Sequence, residues 1–279
     1  MSVKIIIDST ADMTPAVKAR CLVVPLTVLF GEEEFIDGVT ISHREFYEKL
    51  VETDVMPRTS QANPDAFQRV FEEVSAAGDS AVVITLASGL SGTCQSAKIA
   101  AAEFDNIFVV DSGSAAIGAG ILAEYALSLA DRGMSAGEIA AELELAKGRI
   151  HVIALMDTLE YLWKGGRLSR TAAVAGGLLN IKPVLAIANG EIKVLGKARG
   201  SKQGNNLLKS EIEKAGGIDF DMPLMLGYTG LSNALLLKYI EDSKELWEDQ
   251  RAALNSTIIG SAIGTHAGPG AIAVAFFSK

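Results

Sequence analysis

Four short stretches of this 279-residue chain hold residue types that do chemistry. In LASGLSGTCQSA (86–97), glycines alternate with the hydroxyls of Ser88, Ser91 and Thr93 between an apolar run and a helical pattern. Such a junction leaves the first backbone N–H donors of a helix free, which suits a phosphate or a carboxylate. It is not a Walker A loop, since no G-K-[ST] follows. It is not a nucleophile elbow either, because Thr93 occupies the place of the second glycine. In GTHAGPG (264–270), His266 sits among glycines between two apolar runs, which reads as a bare loop. RTSQANPDAF (58–67) offers the hydroxyls of Thr59 and Ser60 just before a helix that Asn63 caps and Pro64 opens. LWKGGRLS (162–169) closes a helix on Gly165 and Gly166 and then offers Arg167.

Each stretch also has a plain reading as a turn or a cap, and their combination decides between chemistries. Ser91 and His266 together would suit a small serine-type hydrolase of acyl esters. That enzyme needs a carboxylate behind the imidazole, and Asp8, Asp111 and Asp157 all fall at strand ends without a spacing that selects one. Glycine loops that cradle phosphate would suit a phospho-sugar or nucleotide binder. Few lysines stand in those loops and no G-x-G-x-x-G is present. No second histidine or acidic residue stands at ligand spacing from His266, so no metal is expected. Cys21 and Cys94 form no metal or redox spacing.

The elements that must position these groups alternate between short apolar runs and helical patterns. KIIIDST (4–10), CLVVPLTVLF (21–30, interrupted by Pro25), SAVVITLA (80–87) and NIFVVDS (106–112) read as strands. Residues 41–53, 63–78 and 114–132 read as the helices between and after them. Strand, polar loop and helix in repetition specify a parallel α/β sheet, whose ligands collect at the carboxyl ends of its strands. After about residue 148 the rhythm changes. A strand at 151–157 and helices at 158–166 and 170–180 precede PVLAIANGEIKVLGKA (183–198). Its Asn189-Gly190 pair between apolar segments is a hairpin signal. A helix at 201–215, a strand at 223–229, a helix at 231–249 and a strand-loop-strand over 256–277 complete a mixed α+β half. The expected organisation is an α/β domain over 1–148 and a mixed α+β domain over 149–279, with a ligand held between them.

Composition bounds the partners. The formal net charge is −9 with acidic residues dispersed, which disfavours nucleic-acid binding. Half of the residues are hydrophobic (49%), yet no apolar run reaches the roughly 18–20 residues of a membrane span. The N-terminus lacks the flank of a signal peptide. A cytoplasmic protein with a hidden apolar pocket or interface is the expectation.

Taken together, IIIDSTAD, TSQ (59–61), SGLSGT-QSA (88–97), the VVDS strand end, KGGR-S and GTHAGPGA resemble the DegV family of bacterial fatty-acid-binding proteins, in family order along essentially the whole chain. The resemblance implies a two-domain fold holding one long-chain fatty acid between the domains, with no cofactor and no catalysis by the chain itself. It implies a fatty-acid-binding set of Thr59, Ser60, Ser91, Gly92, Thr93, Gly264, Thr265 and His266, the hydroxyls and the imidazole holding the acyl carboxylate. It further implies a separate ATP-dependent fatty acid kinase that makes the acyl phosphate in phospholipid metabolism, with Arg167, and more weakly Arg199, on the docking surface. Transient membrane contact fits such a carrier. The apolar segment 172–181 and the leucines near 159–162 are candidates to line the acyl tail. Two departures are Cys94, where the family usually has an aromatic residue, and Ala62-Asn63, where a proline is common after TSQ. Neither removes a hydrogen-bonding group from the set.

Overall fold

The computed structural model describes residues 2–169, 181–188, 190–247, 250 and 254–279. The first sheet is parallel throughout. Its strands β1 (Val3–Asp8), β2 (Leu22–Val24), β6 (Ser80–Thr85) and β7 (Ile107–Asp111) lie in the order β2-β1-β6-β7. Ile5, Ile6 and Ile7 of β1 and Val82, Val83 and Ile84 of β6 are fully buried. A continuous β-branched run suits a strand covered on both faces.

The helices of this half start where local chemistry tells them to. α1 (Pro15–Lys18) is a single turn capped by Thr14. Ser42 and Glu45 close a capping box on α2 (His43–Glu52). Asn63 accepts from Ala66 N at the head of α3 (Pro64–Ala76). α4 (Thr93–Ala101) follows the Ser88–Gly92 loop, and α5 (Ile117–Asp131) follows β7. A second capping box, Ser135 with Glu138, starts α6 (Ala136–Ala146), a helix the sequence reading had not separated from its surroundings.

A small antiparallel sheet, β4-β3-β5, was not anticipated either. It consists of β3 (Thr27–Phe30), β4 (Glu33–Ile36) and β5 (Arg58–Ser60). Thr59 and Ser60 are therefore strand residues, paired with Val28 and Thr27, and not members of a free loop.

The second large sheet is mixed and runs β10-β9-β8-β13-β11-β12. It contains β8 (Ile150–Leu155), β9 (Ile181–Ala188), β10 (Glu191–Arg199), β11 (Met225–Tyr228), β12 (Ser256–Ile258) and β13 (Ile272–Phe277). Only β11 and β12 pair in parallel; the other neighbours are antiparallel. The 183–198 hairpin is present, with Gly190 at φ +76° in its turn. The intervening helices are α7 (Glu160–Lys164) and α8 (Gly200–Lys214). The helix expected over 231–249 divides at Ser243 into α9 (Ala234–Asp242) and α10 (Lys244–Trp247), which turns the buried Tyr239 and Trp247 rings edge to face. Residues 170–180 and Asn189 lie outside the described residues, and with them one expected helix and most of the expected 172–181 tail lining.

A further correction concerns GTHAGPG. Gly264, Thr265 and His266 belong to a helix, α11 (Ser261–Ala267), which ends at Gly268 with φ +68°. The loop reading fails because Gly264 answers a packing demand. A Cβ there would stand 2.5 Å from Tyr47 Oη and 2.8 Å from a Phe46 ring carbon. Gly264 thus lets α11 approach α2 closely.

α5 joins the two halves. Ten of its fifteen residues are buried, as befits a helix apolar all round. It touches β1 and β6 on one side and β8, β11 and β13 on the other. Ile5, Val82, Leu122, Val152 and Phe277 accordingly share one continuous core. Among the described residues no helix is long and apolar enough to cross a membrane. Truncating Leu122, fully buried in α5, to alanine should cost about 2–5 kcal/mol. Because the core is shared, urea unfolding followed by far-UV circular dichroism and by Trp163/Trp247 fluorescence should show one coincident, lowered midpoint. Two separated transitions would contradict a shared core.

Candidate functional site

The carboxyl ends of β1, β6 and β7 face the mixed sheet across a partly open cavity of about 500 Å³, within the usual range for a small-molecule site. Its walls are mostly apolar. Leu26, Leu86, Val152, Met156, Leu185 and Ile187 supply bulk. The space exists because small side chains stand where a core would normally be filled: Ala115, Ala116, Ala154, Ala262, Ala271 and Ala273 all line it. Leu162 lines the cavity as expected, while Leu159 is buried beside it in a satellite core.

Polar groups gather toward the open end, where Ser60 and Gln61 are exposed and Thr59, Ser91 and Gly92 are half-buried. His266 comes from α11 and Thr59 from β5, and Thr59 Oγ1 lies 2.9 Å from His266 Nε2. His266 Nδ1 is buried without a hydrogen-bond partner and packs on Gly165, where any Cβ would collide with the ring. Burial, followed by the positive charge of Arg167, pushes the imidazole pKa down to about 4. His266 is thus neutral at physiological pH.

Ser91 Oγ accepts from Thr93 N at 3.2 Å and lies 3.0 Å from Thr93 Oγ1. Gly92 precedes α4 and supplies no side-chain cap. Ser91 Oγ instead takes the first N–H of the helix, that of Thr93, so the Ser91 hydroxyl stands at the positive end of α4. A Cβ on Gly92 would overlap the Gln61 amide, whose Nε2 donates to Ser96 Oγ at 3.0 Å. The third residue of TSQ therefore braces the SGLSG loop, a role that the reading of hydroxyls alone passed over.

Of the sequence-derived set, Thr59, Ser60, Ser91, Gly92 and His266 line the cavity. Thr93 is buried behind Ser91, Gly264 faces α2, and Thr265 donates to Ser261 O inside its own helix. Those three support the site without facing it. Arg167 is half-buried on the cavity wall and not projected outward. Its Nε donates to Leu90 O at 3.2 Å and its Nη1 to Gly165 O at 2.8 Å, tying the SGLSG loop to the KGG turn. Arg199 is exposed at the end of β10 and away from the cavity. Thr10 and Thr229 also line the space and were missed as site residues. Thr10 ends the KIIIDST run and so lies at a strand's carboxyl end, whereas no signal near Thr229 distinguishes it.

The β9–β10 hairpin closes one side. Gly190 N donates to Gly113 O at 2.9 Å, and Gly190 O lies so near Gly89 that a Cβ there would be 2.6 Å away. The hairpin turn therefore rests directly on the SGLSG loop. His266 has no carboxylate behind it among the described residues, and its hydrogen bond goes to Thr59 and not to Ser91. No group of His, Cys, Asp and Glu among the described residues is arranged to hold a metal ion.

Residues 2–279 match the DegV family, described as a family of uncharacterised proteins. A DegV domain-containing protein of Caldanaerobacter subterraneus is 38% identical, with 99% of each chain covered. Among solved structures, a DegV family protein of Thermus thermophilus described by its fatty acid binding superposes with a TM-score of 0.88 at 29% identity, covering 100% of both chains. DegV of Bacillus subtilis, described as a fatty acid binding protein, superposes with a TM-score of 0.81 at 30% identity over 100% of both chains.

The depressed imidazole pKa has a consequence for stability. The unfolded imidazole takes a proton below about pH 6.5, whereas the folded one does not until about pH 4. Stability from this group is complete above pH 6.5 and is lost as pH falls toward 4, by about 3 kcal/mol at the acid end. His266→Gln should remove that increment. Urea midpoints at pH 7 and pH 4.5 should fall further for the natural chain than for the variant, and equal falls would contradict a buried neutral His266.

Proposed function

The chain belongs to the DegV family, and on that premise we propose that it is a carrier of one long-chain fatty acid. The carboxylate lies at the polar, open end of the cavity and the acyl tail runs into the apolar interior. The observation that carries this reading is the segregation within one cavity. Thr59, Ser60, Gln61, Ser91, His266 and Arg167 gather at one end, and the remaining walls are mostly leucine, isoleucine, valine, methionine and alanine, with Thr10 and Thr229 as the polar exceptions. The solved relatives described as fatty acid binding share the whole fold.

The energetics suit that ligand. Hydrogen bonds to a charged group contribute about 1.5–3 kcal/mol each. A buried tail adds roughly 0.8 kcal/mol per CH₂, so the tail dominates affinity and the polar end sets orientation. With His266 Nε2–H donating to Thr59 Oγ1, the single Thr59 proton is free to go, with that of Ser91 Oγ, to the carboxylate. The positive end of α4 and the charge of Arg167 keep it ionised. His266 acts as a neutral partner that fixes the Thr59 hydroxyl. An imidazole that stays unprotonated down to about pH 4 makes a weak base near neutrality, and its bond to Thr59 leaves Ser91 without a proton acceptor. Both points favour binding over ester hydrolysis.

The chain itself carries out no chemistry in this reading. A separate ATP-dependent kinase phosphorylates the carboxylate presented at the open end, where Ser60 and Gln61 are exposed. The exposed Arg199 remains available for docking, whereas Arg167 serves the cavity. With the domain boundary taken near residue 148, ahead of β8, the ligand is held between the halves. Work in the cytoplasm, with brief contact with a membrane to load the acid, fits this role.

Denaturing the purified protein and identifying released small molecules by mass spectrometry should yield close to one long-chain fatty acid per chain. Thr59→Val and His266→Ala should retain less, by about three- to tenfold, with unfolding midpoints near that of the natural chain at neutral pH. An empty cavity, or a phosphate-bearing ligand, would overturn the proposal.

A further inference from the structure

Behind the cavity, and outside its lining, lies a buried group of acids that carrier function leaves unexplained. Asp8, Asp12 and Asp37 are each 2% exposed or less. Asp8 is fully engaged: its carboxylate accepts from Thr10 N, Thr10 Oγ1 and Leu86 N. Asp37 Oδ2 accepts from Ser9 Oγ at 2.8 Å, but its Oδ1 has no partner. Asp12 Oδ1 accepts from Gly260 N at 2.9 Å across 248 residues of chain, and its Oδ2 has no partner. His43 completes the group. A Cβ on Gly260 would stand 3.0 Å from Asp12 Oδ1 and 3.1 Å from His43 Nε2.

Gly260 is the residue from which α11 starts, and it offers no side chain for capping. In a capping box a glutamate three residues on would accept from this N–H. Here Asp12, from the loop after β1, takes that part. Tyr47 secures the preceding residue by donating to Ile259 O at 3.0 Å. Six residues further along the helix is His266. Asp12 itself is fixed from behind, because its N–H donates to Ala116 O and its carbonyl fills the space a Cβ on Gly120 would need. Ala116 has a φ of +53°, the only non-glycine residue with positive φ among those described, and it lines the cavity.

We infer that Asp12 is a positioning residue for His266: its carboxyl holds the first residue of the helix that carries the imidazole. A change at Asp12 is therefore felt at the polar end of the cavity. The inference rests on the carrier reading for its meaning, but the link between the two residues does not. Burial drives the Asp12 pKa up to about 8, with Asp37 and Asp8 adding repulsion, and Lys18 and the Gly260 N–H acting against it. His43, itself pushed down by burial, and Tyr47, pushed up by burial, are the other titratable groups facing Asp12 and Gly260. Burial therefore favours the uncharged carboxyl at neutral pH, whose oxygen still accepts from Gly260 N. Charging it as pH rises through about 8 adds repulsion with Asp37 and Asp8, and the start of α11 must readjust.

The test uses the full chain labelled with ¹⁵N-histidine. The His266 ring signals, assigned by their loss in His266→Gln, should move in a step centred near pH 8. Asp12→Asn should abolish that step, while His43→Gln retains it. In parallel, affinity for palmitate at pH 7 should stay within about twofold in Asp12→Asn, which preserves the acceptor. It should fall about fivefold in Asp12→Ala, the factor that the ~1 kcal/mol of a lost helix cap amounts to when it is passed in full to the site. If Asp12→Ala does not fold, Gly260→Ala replaces it: the added methyl crowds Asp12 Oδ1, and the step must shift or vanish. A step that persists unchanged in Asp12→Asn, or undiminished affinity in Asp12→Ala, overturns the inference. If the natural chain binds no palmitate but loses its step in Asp12→Asn, the carrier reading fails and the Asp12–His266 link stands.

Discussion

The hydrogen bond between Thr59 Oγ1 and His266 Nε2 joins residues 207 positions apart, and much of the fold serves to make it. β5 exists as a strand only because β3 pairs with it, and that pairing fixes Thr59. α11 reaches the same point because Gly264 allows it to press against α2, and because Asp12 and Tyr47 hold its start. The imidazole is then confined between Thr59 and Gly165. In that confinement burial outweighs protonation, and the ring stays neutral. Beside this neutral ring stand the hydroxyls of Thr59 and Ser91 and the charge of Arg167, itself anchored to two backbone carbonyls, the set that the proposed reading gives to a carboxylate.

The rest of the cavity follows from what is left out. Alanines along β8, β13 and α11 withhold the side-chain volume that would close the interior. In the proposed reading a bound apolar tail supplies those contacts, which ties ligand retention to stability. The glycines have a separate function. Gly92 makes room for Gln61, Gly165 for His266 and Gly89 for the hairpin turn. Each brings backbone from one element against a functional group or loop of another. Substitutions at these positions act on the site through geometry, without removing any group that touches a ligand.

The parallel sheet and its helices were legible because β1 and β6 are unbroken β-branched runs and because Asn63-Pro64 announces a helix start. The hairpin was legible from Asn189-Gly190. The polar residues at strand ends drew attention to the right edge of the sheet. What was not legible depended on contacts distant in sequence. Glycine at 264 reads as a loop until Tyr47 and Phe46 are seen against it. Arg167 reads as exposed until Leu90 O and Gly165 O are seen to hold it. β5 is three residues long and polar, and only its pairing with β3 makes it a strand. Asp12 closes the IIIDSTAD stretch, but nothing local gives its role, since its partner lies at the far end of the chain.

The central claim is that a fatty carboxylate sits at the Thr59–His266 pair with its tail in the alanine-lined interior. The most direct measurement is ¹³C NMR of the full chain loaded with palmitic acid labelled at its carboxyl carbon. The account requires one sharp carboxyl resonance that stays ionised below the usual carboxylic range, with magnetisation transfer to the His266 ring and to Thr59. A resonance that titrates like the free acid, or that shows transfer to neither residue, would contradict it.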